Sequence, residues 1–348
     1  MENERASSPS IKNLSARRKA VSASQEGWVK AELLFPEGPS PLVLRPHVEG
    51  VDLIAWAERN QNLIRQNLFA RGAILFRNFD NGSMARFEEL IKTTSGELME
   101  YHDRATPRSQ VSGNVYSSTD YPPEYHIELH NESSYAFTWP RRIFFYCAIV
   151  AREGGETPIA DCRRVFNRID PAIRERFIEK KVRYVRNFGE VFGMSWQTVF
   201  QTEDINVALE YCRSNHIEVE QRADGRLRTW QVRGAVARHP ETGETVWFNQ
   251  ATSFHLSTLE PSVRQALLEQ VKEEDVPKNA YYGDGSPIED SILDALREAY
   301  REEYLTFPWQ SGDVLMLDNM LMAHGRRPYV GPRKVVAAMA VPANWGTV

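Results

Sequence analysis

Apolar residues recur along the chain at two spacings, and each spacing predicts a type of secondary structure. Recurrence every three or four residues predicts helices at 51–70, 84–92, 170–181, 203–215, 260–274 and 288–304. Continuous apolar runs predict buried strands at 73–76, 141–150, 313–318 and 335–341. The pattern alone indicates a mixed α and β protein, because short apolar runs occur in both kinds of element.

The first 26 residues differ from the rest of the chain. Residues 1–26 are polar, rich in Ser, Lys and Arg, and show no hydrophobic periodicity. We predict a flexible N-terminal arm there and a single domain over residues 27–348. The basic cluster Arg17-Arg18-Lys19 is suited to an acidic partner, although a solvated tail is the simpler interpretation.

Composition narrows the class of protein. At 348 residues with 42% hydrophobic and 26% charged residues, the chain is ordinary for one compact globular protein. The net charge of −5 is spread over mixed-sign segments, so no basic footprint for nucleic acid is expected. The three cysteines, Cys147, Cys162 and Cys212, suit neither a disulfide framework nor a cysteine-rich zinc site, which indicates a reducing cytoplasm. No apolar run is long enough to predict a signal peptide or a membrane span.

Two separated motifs supply a metal-ligand set. His130 and Glu132 are two residues apart, and on an extended strand their side chains point to the same face. With His324 as a third ligand, two imidazoles and one carboxylate occupy one face of an octahedral ion and leave positions open. This is the ligand set of a non-haem Fe(II) oxygenase, and open positions indicate catalysis. A lone His-x-Glu pair is more often solvated, so the third ligand carries the interpretation.

An arginine follows the second motif. Arg333 lies nine residues after His324 and precedes the apolar run 335–341. A guanidinium group can hold a carboxylate with two parallel hydrogen bonds, so Arg333 beside a metal suits a dicarboxylate such as 2-oxoglutarate. The alternative is a surface ion pair.

These residues resemble a known family. The segments 130–132, 154–157 and 324–333 resemble the Fe(II)/2-oxoglutarate-dependent oxygenases of the taurine-dioxygenase and clavaminate-synthase group. The resemblance runs from about residue 70 to the C-terminus, judged by the order and spacing of the motifs. Segments 130–135 and 154–163 look most like the syringomycin-type branch of specialised metabolism.

The resemblance implies a fold, cofactors and site residues. His130, Glu132 and His324 would bind Fe(II), Thr157 and Arg333 would hold the distal carboxylate of 2-oxoglutarate, and O2 would be the co-substrate. The implied fold is α+β, a double-stranded β-helix (jelly roll) core with flanking helices. The predicted helices between the early and late ligands form a helical insertion, at about residues 165–300, over the site.

Departures from taurine dioxygenase bear on the substrate. That enzyme has Asp where this chain has Glu132, and a second arginine that clamps the sulfonate where this chain has Ala337. We therefore expect a small amino-acid-like substrate, free or presented by a peptidyl carrier protein. Glu132 disfavours halogenation, because halogenating relatives replace this ligand with a small residue. Hydroxylation in natural-product biosynthesis is the leading hypothesis; desaturation or ring formation is the alternative, and a non-catalytic jelly-roll binding protein is another.

Four further residues are candidates for the substrate side of the site. His126 lies four residues before His130, and strand alternation would turn Ser134 towards the metal. Asn249 belongs to a polar segment suited to a pocket wall. Arg326 is a fixed cation near the iron, able to receive a substrate carboxylate or the C1 carboxylate of 2-oxoglutarate. The structural alternative for Arg326 is a pairing with Asp318 or a neighbour.

Overall fold

A computed structural model describes residues 27–36, 40–80, 82–100, 110–117, 121–189, 193–222 and 225–347. The predicted arm, residues 1–26, lies outside the described residues. The strands are β1 (Val29–Leu33), β2 (Leu42–Pro46), β3 (Ala73–Phe76), β4 (Gln110–Ser112), β5 (Val115–Ser117), β6 (Ile127–His130), β7 (Thr138–Ile149), β8 (Glu153–Gly154), β9 (Ile159–Asp161), β10 (Val182–Asn187), β11 (Glu218–Gln221), β12 (Leu227–Arg233), β13 (Val236–Arg238), β14 (Thr245–Trp247), β15 (Lys278–Tyr282), β16 (Val314–Asp318), β17 (Met322–Arg326), β18 (Tyr329–Val330) and β19 (Lys334–Asn344). The α-helices are α1 (Leu53–Arg59), α2 (Gln61–Arg71), α3 (Met84–Ser95), α4 (Cys162–Arg168), α5 (Pro171–Lys180), α6 (Trp196–Phe200), α7 (Ile205–Ser214), α8 (Ala251–Phe254), α9 (Pro261–Gln270) and α10 (Asp290–Glu302).

The largest sheet has eight strands in the order β1-β2-β3-β16-β7-β19-β5-β4. Only β2 and β3 pair in parallel, and every other pair in this sheet is antiparallel. The apolar runs predicted as strands form its centre, where layers packed on both sides of the sheet bury both faces of these strands. Cys147 on β7 is fully buried, as core packing predicts.

Each face of the large sheet packs against a different layer. Helices α1, α2 and α3 cover one face, where Trp56, Leu68 and Phe87 join a core with Phe144 and Met316. The opposite face packs against a smaller antiparallel sheet of order β6-β17-β9. Two antiparallel sheets packed face to face are the architecture of a jelly roll. This smaller sheet carries the histidines of both motifs: His130 ends β6, and His324 lies in the middle of β17.

The predicted helix at 51–70 is two helices in the structure. Asn60 ends α1 and precedes α2, and its backbone is not helical, with φ −117° and ψ 23°. Within the described residues, no helix is both long enough and apolar enough to cross a membrane.

The segment between β9 and β16 is mixed rather than helical. Helices α5, α7, α9 and α10 match the predicted ones closely, but the segment also contains a four-stranded antiparallel sheet of order β11-β12-β10-β15. The prediction of a helical insertion was wrong on this point. The inward face of β12 is Leu227, Thr229, Gln231 and Arg233, so polar residues occupy buried positions and hide the strand pattern.

Candidate active site

The two motifs converge at adjacent strands of the smaller sheet. His130 ends β6 and is the register partner of His324 on β17. Ligand atoms of His130, Glu132 and His324 all lie within 4.8 Å of one another, and His324 Nε2 is 3.8 Å from Glu132 Oε2. Glu132 and His324 are both buried, which keeps competing water away from these side chains. The predicted triad is therefore brought together.

A turn, and not strand alternation, brings Glu132 to the triad. Strand β6 ends at His130, and residues 132–135 form a turn in which Ser133 has a positive φ of 55°. The alternation that suggested Ser134 as a group near the metal is therefore absent. The Ser134 hydroxyl instead donates to the Asn131 carbonyl, 3.1 Å away, inside the turn.

Buried amide side chains fix this turn. Asn319 Oδ1 accepts from the Glu132 backbone N–H at 2.8 Å, and Asn319 Nδ2 donates to the Glu132 carbonyl at 2.9 Å. Asn131 Nδ2 donates to the Asn319 carbonyl at 2.6 Å, and Gln250 Nε2 donates to the Asn131 carbonyl at 2.7 Å. These bonds join the turn that carries Glu132 to the segment that precedes His324. Sequence reasoning missed all three amides, although Asn319 directly follows an apolar strand.

The histidine contacts suit metal binding. A carbonyl oxygen only accepts hydrogen bonds, so the 2.8 Å contact between His130 Nδ1 and the Glu128 carbonyl makes Nδ1 the donor. The lone pair then lies on His130 Nε2, as in metal sites where the second nitrogen is hydrogen-bonded to the protein. The His324 ring packs against Phe145 with ring centroids 5.1 Å apart, and its Nδ1 is buried without a hydrogen-bond partner among the described residues. The donor set fits a divalent ion such as Fe(II).

The two predicted 2-oxoglutarate residues lie on segments next to the triad. Thr157 is buried just before β9, and its hydroxyl accepts a hydrogen bond from Trp309 Nε1 at 3.2 Å. Arg333 precedes β19, and its Nε donates to the Gly155 carbonyl at 2.9 Å. A Cβ at Gly155 would lie 2.9 Å from Arg333 Cδ, so the absent side chain makes room for the arginine.

Arg333 is desolvated but cationic. Burial, reinforced by the neighbouring Arg326, lowers the pKa of Arg333 to about 10. The ring of Tyr329 lies beside both guanidinium groups, 5.4 Å from Arg333 and 5.2 Å from Arg326. A carboxylate placed next to a desolvated guanidinium stabilises its charged form. Arg333 therefore suits the distal carboxylate of 2-oxoglutarate.

The Arg326 side chain is hydrogen-bonded to backbone carbonyls. Its guanidinium donates to the carbonyls of Tyr121, Pro122 and Tyr125 at 2.6 to 3.0 Å, and the residue is only 4% exposed. It thereby ties the segment that enters β6 to the strand that carries His324. The alternative pairing with Asp318 is wrong, because Asp318 binds Arg142 and His239 instead.

The other two substrate candidates are placed differently. The Asn249 amide is buried and bonded at both ends to backbone, to the Ala235 carbonyl at 2.8 Å and the Ala251 N–H at 3.0 Å. His126 is exposed just before β6, with Nδ1 3.7 Å from Glu128 Oε1. The described contacts thus give Asn249 a structural role, while a substrate role for His126 stays a prediction.

Comparison with known proteins decides the family. The model of the TauD, TfdA family, described as taurine catabolism dioxygenase, matches residues 39–339. The chain belongs to the TauD/TfdA family. Membership confirms that this protein is an oxidoreductase, a dioxygenase that uses Fe(II), 2-oxoglutarate and O2. Among the described residues, the triad fits Fe(II), and Thr157 and Arg333 fit the distal carboxylate of 2-oxoglutarate.

Two named proteins are similar to this chain over most of its length. Dapdiamide synthesis protein DdaC of Enterobacter agglomerans is 42% identical over 279 residues, 80% of this chain and 85% of DdaC. A clavaminate synthase-like protein of Arabidopsis thaliana is 28% identical over 323 residues, 88% of this chain and 94% of that protein.

Solved structures share the fold. PvcB of Pseudomonas aeruginosa has a TM-score of 0.54 at 16% identity, covering 92% of this chain and 94% of PvcB. AAD-2, in complex with Mn(II) and N-oxalylglycine, has a TM-score of 0.52 at 14% identity, covering 91% of this chain and 98% of AAD-2. The jelly-roll core predicted from the motifs is confirmed.

Proposed function

We propose that this TauD/TfdA dioxygenase hydroxylates an unactivated C–H bond of an amino acid or amino-acid-derived substrate in natural-product biosynthesis. The convergence of His130, Glu132 and His324, with Arg333 hydrogen-bonded to the Gly155 carbonyl in the segment that leads to Thr157, carries the oxygenase part of the proposal. The 42% identity to a dapdiamide synthesis protein supports the biosynthetic setting.

Each residue of the site has a distinct task. His130, Glu132 and His324 would hold Fe(II), and Thr157 and Arg333 would hold the distal carboxylate of 2-oxoglutarate. Together these cofactors supply the activation of O2 that breaks a C–H bond. The protein itself positions the reacting carbon, because a small displacement of the substrate changes which hydrogen is removed.

Ala337 stands where taurine dioxygenase has the arginine that binds the sulfonate, and this difference bears on the substrate class. Ala337 is fully buried within β19, where it pairs with Phe145 of β7. A methyl group there offers no charge to a sulfonate, which supports an amino-acid-like substrate, free or presented by a peptidyl carrier protein. The three free cysteines, all buried, support residence in the reducing cytoplasm.

The test measures succinate and product mass together. Anaerobically Fe(II)-loaded protein is exposed to O2 with 2-oxoglutarate and a panel of L-amino acids, either free or loaded on a carrier protein. We expect one substrate to stimulate succinate formation and to gain one oxygen atom. Loss of two hydrogens would show desaturation or ring closure instead. Bound cofactors with no stimulation by any member of the panel would contradict the proposed substrate class.

A further inference from the structure

An indole group is hydrogen-bonded to the Thr157 hydroxyl in the protein interior. Trp309 Nε1 lies 3.2 Å from the Thr157 hydroxyl oxygen, and the two residues are only 6% and 2% exposed. An indole N–H can only donate, so the Thr157 oxygen accepts this bond with one of its two lone pairs. The hydroxyl proton is left for another acceptor, and among the described residues Thr157 donates to no protein group.

The unused proton of Thr157 lies close along the chain to a group that binds Arg333. Arg333 Nε donates to the carbonyl of Gly155, two residues before Thr157. A buried hydroxyl proton without an acceptor is unfavourable, so the protein favours a ligand that accepts hydrogen bonds there. A carboxylate can accept from a hydroxyl and from a guanidinium at the same time. This matches the proposed role of Thr157 and Arg333 towards the distal carboxylate of 2-oxoglutarate.

The segment that carries Trp309 is fixed on both sides of the indole. Ile159 of β9 and Leu305 exchange two backbone N–H···O bonds, each of 2.9 Å, which join the segment to the strand that follows Thr157. Arg77 donates to the carbonyl that precedes Trp309 at 2.8 Å and forms a buried ion pair of 2.6 Å with Asp313. These contacts hold the indole N–H in one place, so it can set the orientation of the hydroxyl.

We propose that Trp309 is a positioning residue for 2-oxoglutarate, whose indole N–H turns the Thr157 hydroxyl proton towards the distal carboxylate. The inference rests on the proposed function, in which Thr157 holds that carboxylate, and deepens it. A hydroxyl rotates about its C–O bond, and occupying one of its lone pairs limits the directions in which it can donate. Trp309 thereby reduces the cost of ordering the hydroxyl when 2-oxoglutarate binds.

The test is a double-mutant cycle on the affinity for 2-oxoglutarate. Wild-type protein, Trp309→Phe, Thr157→Val and the double variant are loaded anaerobically with Fe(II), and binding of 2-oxoglutarate is followed by visible absorption. 2-Oxovalerate, which has a methyl group in place of the distal carboxylate, is titrated in parallel. Trp247→Phe is the matched control, because Trp247 is fully buried and its Nε1 has no hydrogen-bond partner in the described part of the chain.

We expect Thr157→Val to weaken 2-oxoglutarate binding about 10- to 100-fold, because a hydrogen bond to a charged group is lost. Trp309→Phe should weaken it about 3- to 10-fold, and Trp247→Phe should leave it unchanged. In the Thr157→Val background, Trp309→Phe should have no further effect, because the hydroxyl that it orients is already absent. The affinity for 2-oxovalerate should be the same in wild-type protein and Trp309→Phe.

Equal effects of Trp309→Phe in the two backgrounds, or an equal loss of affinity for 2-oxovalerate, would overturn the proposal, because Trp309 would then act on the fold and not through the hydroxyl. Trp309→Met also lacks the N–H and should give the same result, and it replaces Trp309→Phe if that variant does not fold. Unchanged binding in Thr157→Val would overturn the proposed role of Thr157 and the inference together. Because the assay measures binding, the substrate class is tested separately by the succinate assay.

Discussion

Replacing Asn319 by alanine should weaken metal binding although Asn319 is not a ligand. Its amide is fully buried and makes three hydrogen bonds, two to the backbone of Glu132 and one, of 2.8 Å, to the Pro140 carbonyl. At about 1 kcal/mol for each bond, Asn319→Ala should cost about 3 kcal/mol of unfolding free energy. For a chain of this length that corresponds to a fall of about 4 °C in Tm.

Asn319→Ala should also lower the affinity of the site for metal. Without the Asn319 amide, the turn that carries Glu132 is released from the segment that leads to His324, so the ligands are less well oriented. Loss of such supporting contacts lowers metal affinity by about 10- to 100-fold. The assay is calorimetric titration with Mn(II), together with thermal unfolding of the metal-free protein.

Asn279 provides a matched control. It is as buried as Asn319, and its Oδ1 accepts from the Leu256 and Ala280 N–H groups at 3.1 and 3.0 Å, within the insertion. Asn279→Ala should lower stability to a similar extent and leave the Mn(II) affinity unchanged. The reasoning is refuted if Asn319→Ala binds Mn(II) as wild-type protein does, or if Asn279→Ala weakens Mn(II) binding equally.

Three further predictions concern the neighbouring contacts. Gly155→Ala, with φ +75° and a Cβ 2.9 Å from Arg333 Cδ, should raise the KM for 2-oxoglutarate about tenfold, whereas Gly96→Ala, with φ +82° and nothing within 4 Å, should leave it unchanged. Asp318→Asn, measured by urea unfolding, should cost about 3 kcal/mol or more, because it leaves the buried Arg142 without its carboxylate. Burial alone would raise the pKa of Asp318, but Arg142, the hydrogen bond with His239 and the nearby Arg141 together outweigh burial and hold that pKa below the ordinary 3.8. The carboxylate therefore stabilises the fold above about pH 4 and loses this contribution as the pH falls through the lowered native pKa, so wild-type protein should lose more stability than Asp318→Asn below pH 4.

The metal ligands can be predicted from sequence because their side-chain types carry the chemistry. Two histidines and a glutamate form the recognised ligand set of a non-haem iron site. The apolar strands of the large sheet, such as β3 and β7, match the continuous apolar runs closely. The backbone conformation that brings Glu132 to the other two ligands is harder to predict from the sequence. It depends on a turn with a positive φ at Ser133, and serine at that position carries no signal of it.

The four-stranded sheet of the insertion and the amide side chains that hold the Glu132 turn could not be predicted from the sequence either. Thr229, Gln231 and Arg233 are buried on β12 and break the apolar alternation that marks a strand. Arg233 donates to Gln231 Oε1 at 2.6 Å and to the Asn215 carbonyl at 2.7 Å, so the polar groups of this face are satisfied inside the folded protein. Asn319 and Gln250 likewise act on backbone groups more than a hundred residues away. Such contacts depend on tertiary packing, which local periodicity does not contain.

The most direct test of the central claim is an anaerobic titration with Fe(II) and 2-oxoglutarate, followed by visible absorption of their coloured complex. The claim is that His130, Glu132 and His324 form one iron site beside Arg333. Wild-type protein should develop the absorption band with one Fe(II) per chain. His324→Ala and Glu132→Ala should lose the band, and Arg333→Gln should require more 2-oxoglutarate to reach it. An undiminished band in His324→Ala, or no band in wild-type protein, would contradict the assignment of the site.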